Sequence, residues 1–421
     1  MKRYLLFILC LLGSLIMWAQ APPDTAQRII EGRKNSVERQ QKPYVILISG
    51  DGFRYDYAEK YGATTLLALS GQGIKADYMI PSYPSLTFPN HYTIVTGLYP
   101  SHHGLVNNYF YDRNRKDFYS MRNPKTVQDG TWYGGTPLWV LAEQQQMLTA
   151  SFYWVGSEAN IKGVFPTYYY TYSEAIPIDR RIQIVMDWLQ LPPEKRPHLI
   201  TFYFPEVDHQ GHSYGPDAPQ TAQAVRWLDS SIQKLTDAVK TTGLPVNFIF
   251  VSDHGMTKID IDHSLSMPAA VDTAQFIIPR GAELVELYAK NKEDIEPAYK
   301  KLKTEENGFT AYLKSNMPAG LHYSDQDDGM NRIGDIILVP AWPRVFNFST
   351  RKPNPGAHGF DPALVKDMRA TFYAWGPAFK SKMQVPAFEN VNVYPVVTKI
   401  LGLKYTEKID GTTELAEKIL K

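Results

Sequence analysis

Three continuous apolar runs stand out along the chain: Tyr44-Val45-Ile46-Leu47-Ile48, Leu199-Ile200-Thr201-Phe202-Tyr203-Phe204 and Val246-Asn247-Phe248-Ile249-Phe250-Val251. Short runs with little polar alternation predict strands buried on both faces. Helical patterns lie between them: one carrying Thr65, Leu66, Leu67 and Leu69, one beginning at Thr87, a short one over 139–146, an amphipathic one over 180–191 and a long one over 219–241. A further strand is expected over 149–155. Strands alternating with helices imply βαβ units, hence an α/β fold with a largely parallel sheet flanked by helices. From 256 to 350 the character changes. Alternating stretches over 283–288, 310–313 and 336–339, with a helix near 293–302, predict a small α+β insertion, or cap. Core patterning resumes at Gly356-Ala357-His358-Gly359 and over 370–377, and 391–401 reads as a docking helix. The core is therefore expected to span 43–255 and 351–421.

The N-terminus follows a different grammar. Met1-Lys2-Arg3 precedes an apolar run over 4–18 that ends near Ala19-Gln20-Ala21, the pattern of a cleaved signal peptide over 1–21. The run is shorter than the roughly 20 residues of a spanning helix. An exported protein, periplasmic or secreted and without a membrane span after cleavage, is expected, and residues 22–42 read as a polar arm. The single cysteine, Cys10, lies in the leader. The mature chain then has no disulfide, thiolate metal site or cysteine nucleophile, and a transition metal must be held by His, Asp or Glu. Lys+Arg at 44 against Asp+Glu at 43 gives no global charge for nucleic acid or an anionic membrane. No stable nucleic-acid partner is expected, and the chain is read as a monomer.

The chemistry gathers at strand ends. The three apolar runs lead into Ser49-Gly50-Asp51-Gly52, Pro205-Glu206-Val207-Asp208-His209-Gln210-Gly211-His212 and Ser252-Asp253-His254-Gly255. Ligands of open parallel sheets bind beyond the carboxyl ends of the strands, so Asp51, Asp208 and Asp253 should converge. Asp208 and His212, four apart, share one face of a helical turn. His358 lies between glycines that permit close backbone approach. In Pro84-Ser85-Leu86-Thr87-Phe88-Pro89-Asn90-His91, Thr87 is placed to cap a helix, with Pro89 in the first turn, which sets a hydroxyl at a positive helix end. The set Asp51, Thr87, Asp208, His212, Asp253, His254 and His358 suits two Zn²⁺ ions.

These motifs, with Thr96-Gly-Leu-Tyr-Pro-Ser-His-His-Gly-Leu-Val-Asn-Asn108 and His358-Gly-Phe360, resemble the nucleotide pyrophosphatase/phosphodiesterase (type I phosphodiesterase) family of the alkaline phosphatase superfamily. The resemblance implies an alkaline-phosphatase-like core. It also implies one zinc on Asp208, His212 and His358 and a second on Asp51, Asp253 and His254, with Thr87 as nucleophile bridging to the second and Asn108 binding a phosphoryl oxygen. The implied activity is hydrolysis of a phosphodiester or phosphoanhydride, such as an NTP or dinucleotide, to a nucleoside 5′-monophosphate through a phospho-threonine.

The resemblance leaves the substrate to the details of the pocket. The formylglycine motif of sulfatases is absent. Related threonine-type phosphatases place a Lys and an Arg after a core strand to bind the extra charge of a monoester. The corresponding Phe152-Tyr-Trp-Val-Gly-Ser-Glu158 carries no base, which favours the singly charged diester. Phe88 and Tyr203 are placed to sandwich a nucleobase, although Tyr203 reads equally as strand core. His91, His102, His103, His209 and the Tyr168, Tyr169, Tyr170 and Tyr172 cluster read as structural or supporting residues. An alkaline phosphomonoesterase, a phosphodiesterase acting on choline-type lipid headgroups and a zinc-dependent binding protein are the alternatives.

Overall fold

The computed structural model describes residues 24–421; the leader over 1–21, Cys10 and the first two residues of the arm lie outside the described residues. A nine-stranded sheet runs in the order Gln27–Ile29, Tyr168–Tyr170, Thr149–Phe152, Leu199–Phe204, Tyr44–Gly50, Val246–Val251, Phe372–Trp375, Ile74–Ala76, Met383–Val385. Five neighbouring pairs are parallel, including all those among the four central strands from Thr149–Phe152 to Val246–Val251. Three are antiparallel: the first edge pair and the two pairs made by Phe372–Trp375.

The continuous apolar runs have a direct cause. Val45, Leu47, Leu199, Ile249 and Val251 face a layer that includes Tyr92, Ile94, Val95, Trp139, Val393 and Val396. The alternate residues Ile46, Ile48, Ile200, Phe202, Phe248 and Phe250 face Val185, Trp188, Val225, Leu228 and Ile232. Helices Thr87–Thr96, Leu138–Gln144 and Val393–Leu401 thus cover one face, and Ile178–Leu189 and Pro219–Lys240 the other. With both faces dry, most positions of the central strands are apolar and the buried polar exceptions are hydrogen-bonded, Thr201 with Ser151 and Asn247 with Tyr44 O. Each buried aliphatic side chain contributes on the order of 2 kcal/mol.

Four edge or near-edge strands of three residues each, Gln27–Ile29, Ile74–Ala76, Tyr168–Tyr170 and Met383–Val385, have no counterpart in the sequence pattern. Three residues are too few to show a period. The polar arm is accordingly tied to the sheet through Gln27–Ile29, which pairs with Tyr168–Tyr170, and the buried rings of Tyr168 and Tyr170 pack in the core.

Residues 276–340 form a separate four-stranded antiparallel sheet in the order Phe276–Ile277, Val285–Ala289, Ile336–Pro340, Phe309–Leu313. Helix Ile295–Glu305 packs Ala298 and Leu302 onto its apolar face.

Candidate active site

Strands Leu199–Phe204, Tyr44–Gly50 and Val246–Val251 are parallel neighbours, with Gly50 opposite Phe204 and Val251 opposite Ser49. Their carboxyl ends therefore release Asp51, the 205–212 segment and Asp253-His254 along one rim. Gly52 turns there with φ +66°, and a Cβ on it would sit 3.1 Å from the Asp208 Cα, so the turn needs glycine for both conformation and space. Asp208 and His212 lie on helix Glu206–Tyr214, one turn apart.

Two clusters result. His212 Nε2 is 3.4 Å and His358 Nε2 3.6 Å from Asp208 Oδ1, and the two Nε2 atoms are 3.0 Å apart. His254 Nε2 is 2.8 Å from Asp253 Oδ2 and 3.5 Å from Asp51 Oδ1. Ligand atoms of Asp51, Asp208 and His254 also fall within 4.8 Å of one another, so the clusters adjoin.

The chemistry of this donor set calls for cations. Each Nδ1 is hydrogen-bonded to a carbonyl oxygen: His212 to Gly356, His254 to Gly255 and His358 to Ser85, at 2.8, 2.8 and 2.9 Å. A carbonyl only accepts, so each Nδ1 donates and each Nε2 faces inward, that of His254 toward the Asp253 and Asp208 carboxylates. Burial opposes a charge on His254, but those carboxylates push its imidazole above the usual range. Asp51, Asp208 and Asp253 are 1%, 9% and 0% exposed, and Asp51 Oδ1, Asp208 Oδ1 and Asp253 Oδ2 are buried without a hydrogen bond. Burial, with the charges of Asp253 and Asp208, pushes the Asp51 carboxyl well above the usual range. Burial also acts on Asp253, but His254 and His91 hold its carboxyl well down. Burial keeps His358 well below the usual imidazole range, so it is neutral. Carboxylate oxygens and imidazole nitrogens packed this closely in a dry site fit divalent metal ions of the type that takes N and O ligands.

Thr87 stands beside the second cluster, its Oγ1 3.2 Å from His254 Nε2. It is the first residue of helix Thr87–Thr96, and Leu86, not Thr87, occupies the cap position. The reason is that the cap comes from elsewhere. Asn108 Oδ1 accepts from the Phe88 N–H at 2.9 Å, which leaves the Thr87 hydroxyl out of the helix's own hydrogen bonding. The same bond fixes the Asn108 amide, whose Nδ2 donor makes no hydrogen bond among the described residues.

The loop before Thr87 is held by Asn90. Its Oδ1 accepts from Ser82 N and Asn390 Nδ2, and its Nδ2 lies 2.9 Å from both Pro84 O and Leu86 O. Ser85 Oγ donates to Phe360 O, tying this loop to the His358 segment. Replacing Asn90 by leucine would orphan several buried backbone groups. A cost of about 2–4 kcal/mol is expected, read as a lower urea midpoint at unchanged slope.

Tyr203 and Phe88, the two residues expected to flank a base, both make protein contacts. The Tyr203 hydroxyl donates to Asp51 Oδ2 at 2.6 Å, and its ring meets His91 and Tyr172 edge-on. Phe88 is partly buried against Tyr119. Three neighbours complete the surroundings: His91 and Tyr172, which the sequence reads as structural or supporting, and Glu283, which it does not single out. His91 Nδ1 lies 2.9 Å from Thr87 O and 3.2 Å from Asp253 Oδ2, and its Nε2 lies 2.8 Å from Ser49 Oγ. Glu283, pushed up to about 7 by burial despite His212 nearby, packs its side chain close to Gly359. Tyr172, 43% exposed, donates to Glu174. His91 carries a signal through its place in the Thr87 motif and Tyr172 through the tyrosine cluster, whereas Glu283 carries none. His209 is exposed, His103 is buried against Thr93 and Pro89, and His102 pairs with Asp410. His263 pairs with Asp260 in its own loop.

A family profile described as type I phosphodiesterase / nucleotide pyrophosphatase matches residues 45–361. The chain is 35% identical over 386 residues to ectonucleotide pyrophosphatase/phosphodiesterase family member 1 of Mus musculus, covering 86% of this chain and 41% of the relative. It is 35% identical over 396 residues to the venom phosphodiesterase CdcPDE of Crotalus durissus collilineatus, covering 91% and 47%. The chain thus spans less than half the length of these relatives. The structure of human ectonucleotide pyrophosphatase / phosphodiesterase 5 superposes with a TM-score of 0.83 at 26% identity, covering 90% of this chain and all of that one. An inactive form of the murine counterpart, in complex with AMP, matches with the same score and identity. The alkaline-phosphatase-like α/β fold, the matched profile and these identities place the chain in the type I phosphodiesterase / nucleotide pyrophosphatase family.

Proposed function

We propose that this chain is an exported phosphodiesterase and nucleotide pyrophosphatase that works through a phospho-threonine on Thr87 and holds two zinc ions. Asp208, His212 and His358 would hold one, and Asp51, Asp253 and His254 the other. The observation that carries the reading is the set of three buried carboxylate oxygens without hydrogen bonds, facing three imidazole Nε2 atoms beside the Thr87 hydroxyl. Zinc in such a site supplies Lewis acidity toward phosphoryl oxygens and lowers the pKa of a nearby hydroxyl.

The residues divide the remaining work. Thr87 Oγ1 forms the new bond to phosphorus as the bond to the leaving oxygen breaks, and water then cleaves the phospho-threonine, releasing the nucleoside 5′-monophosphate and restoring the hydroxyl. The Asn108 Nδ2 donates to a nonbridging phosphoryl oxygen, where charge builds in the transition state. Tyr203 fixes the orientation of Asp51 through its 2.6 Å hydrogen bond. Phe88, next to the nucleophile, offers a face to the base.

A diester is favoured because the cations near the site motifs are engaged. Arg54 pairs with Asp56 and Asp367, and Arg181 with Glu206. The 152–158 segment has no base to meet a second phosphoryl charge. The AMP held by the murine relative supports an adenine nucleotide as product. Export rests on the leader pattern of residues 1–21; no helix among the described residues is long and apolar enough to cross a membrane.

The test is a side-by-side assay of zinc-loaded protein on bis-p-nitrophenyl phosphate and p-nitrophenyl phosphate. A preference in kcat/KM for the diester of at least about tenfold, equivalent to about 1.4 kcal/mol of transition-state binding, is expected. The reverse preference would make the chain an alkaline phosphomonoesterase.

A further inference from the structure

The loop carrying Asn108 is gripped from the 276–340 region. Tyr323, fully buried, places its hydroxyl 3.0 Å from Val106 O and 3.2 Å from Glu286 Oε1. Glu286 lies on strand Val285–Ala289, 1% exposed, and Oε1 also accepts from Gly334 N at 3.1 Å. The ring of Tyr323 meets that of Tyr83 at 5.4 Å and 88°, so one side chain touches both the loop that presents Asn108 and the loop that leads to Thr87. On the far side of the Asn108 loop, Arg332 is 4% exposed and donates to Gly104 O, Trp132 O and Asp112 Oδ2. Within the loop, Asn107 Oδ1 accepts from Asn108 N at 2.8 Å.

We propose that Tyr323, anchored by Glu286, is a positioning residue for Asn108, and that the 276–340 sheet thereby sets the phosphoryl-oxygen donor relative to the nucleophile. The inference rests on the reading of Asn108 given above. The physical basis is that a donor aimed at a developing charge loses most of its effect when misplaced by a fraction of an ångström, and a loop backbone reaches that precision only when its carbonyls are held. Val106 O and Gly104 O are held by Tyr323 and Arg332, two buried residues of the connection between strands Phe309–Leu313 and Ile336–Pro340, and Glu286 on strand Val285–Ala289 ties Tyr323 to the sheet. Burial pushes the Glu286 carboxyl up to about 7, with Gly334, Tyr323 and Asn107 opposing the rise through hydrogen bonds and the charge of Asp328 adding to it. An uncharged side chain at 286 is therefore compatible with the site.

The test is a double-mutant cycle on zinc-loaded protein with a diester substrate. Tyr323→Phe keeps the ring against Tyr83 and removes only the hydroxyl. It is expected to lower kcat about tenfold, to leave KM within about twofold and to leave bound zinc unchanged. In an Asn108→Ala background the same change is expected to have no further effect, because the group it positions is gone. Glu286→Leu, which removes the anchor, should behave alike and provides the second arm if Tyr323→Phe does not fold. An equal loss in both backgrounds, an effect confined to KM, or unchanged kcat would overturn the clamp. If Asn108→Ala itself leaves kcat unchanged, the assignment of Asn108 fails, and the clamp with it.

Discussion

Thr87→Ala is expected to lower diester turnover by about 10⁴-fold or more while bound zinc and folding stay unchanged. The magnitude follows from loss of a nucleophile in a site whose other groups remain, since removing one member of a catalytic unit costs nearly as much as removing all. Thr87 is partly buried, its helix begins without its help, and its Oγ1 has only His254 Nε2 within hydrogen-bond distance among the described residues. Deleting one hydroxyl should therefore cost little stability. Two readouts separate this from a collapsed site. Zinc content should match the parent, and acid-quenched mixtures with a phosphorus-labelled diester should show labelled protein for the parent and none for the variant. Thr87→Ser should recover part of the rate and the label. Comparable turnover by Thr87→Ala would mean that water attacks phosphorus directly and that Thr87 only orients the substrate.

The parts of this site that could be read in the sequence are those with a local physical signature. Asp51 and Asp253 each follow a strand buried on both faces, and such strands announce themselves as unbroken apolar runs. Asp208 and His212 share a face because a helix repeats every 3.6 residues. What was illegible depends on partners distant in sequence. The Thr87 helix looked self-capped because the residue type is right, yet its Phe88 N–H is satisfied by Asn108, 20 positions away. The antiparallel direction of Phe372–Trp375 beside Val246–Val251 leaves no trace in composition, since antiparallel and parallel buried strands bury the same side chains. Alternation over 283–288 says which residues point inward, but not that Glu286 would meet the Asn108 loop through Tyr323. Tyr203 could be read either way for a similar reason: its ring packs on the strand layer while its hydroxyl reaches Asp51.

Metal removal should cost stability as well as activity, and one substitution should remove most of that effect while stabilising the metal-free chain. A ligand that binds only the folded chain stabilises it by about 4 kcal/mol at a thousandfold excess over Kd. For a chain of this size that is a rise in Tm of about 4–8 °C per site, extrapolating from smaller domains. Chelation should lower Tm accordingly, and readdition of zinc should restore it. In the chelated state burial and the charges of Asp253 and Asp208 penalise the ionised Asp51 carboxyl, whose Oδ1 lies buried 3.5 Å from His254 Nε2. Asp51→Asn keeps an oxygen for the Tyr203 hydroxyl and removes the charge. It should raise the Tm of the chelated protein, by about 1–3 kcal/mol of stability, and abolish most of the rise on adding zinc. Stability and metal response would then move in opposite directions in one variant. A purely structural carboxylate predicts otherwise: Asp51→Asn would lower Tm with and without chelator alike.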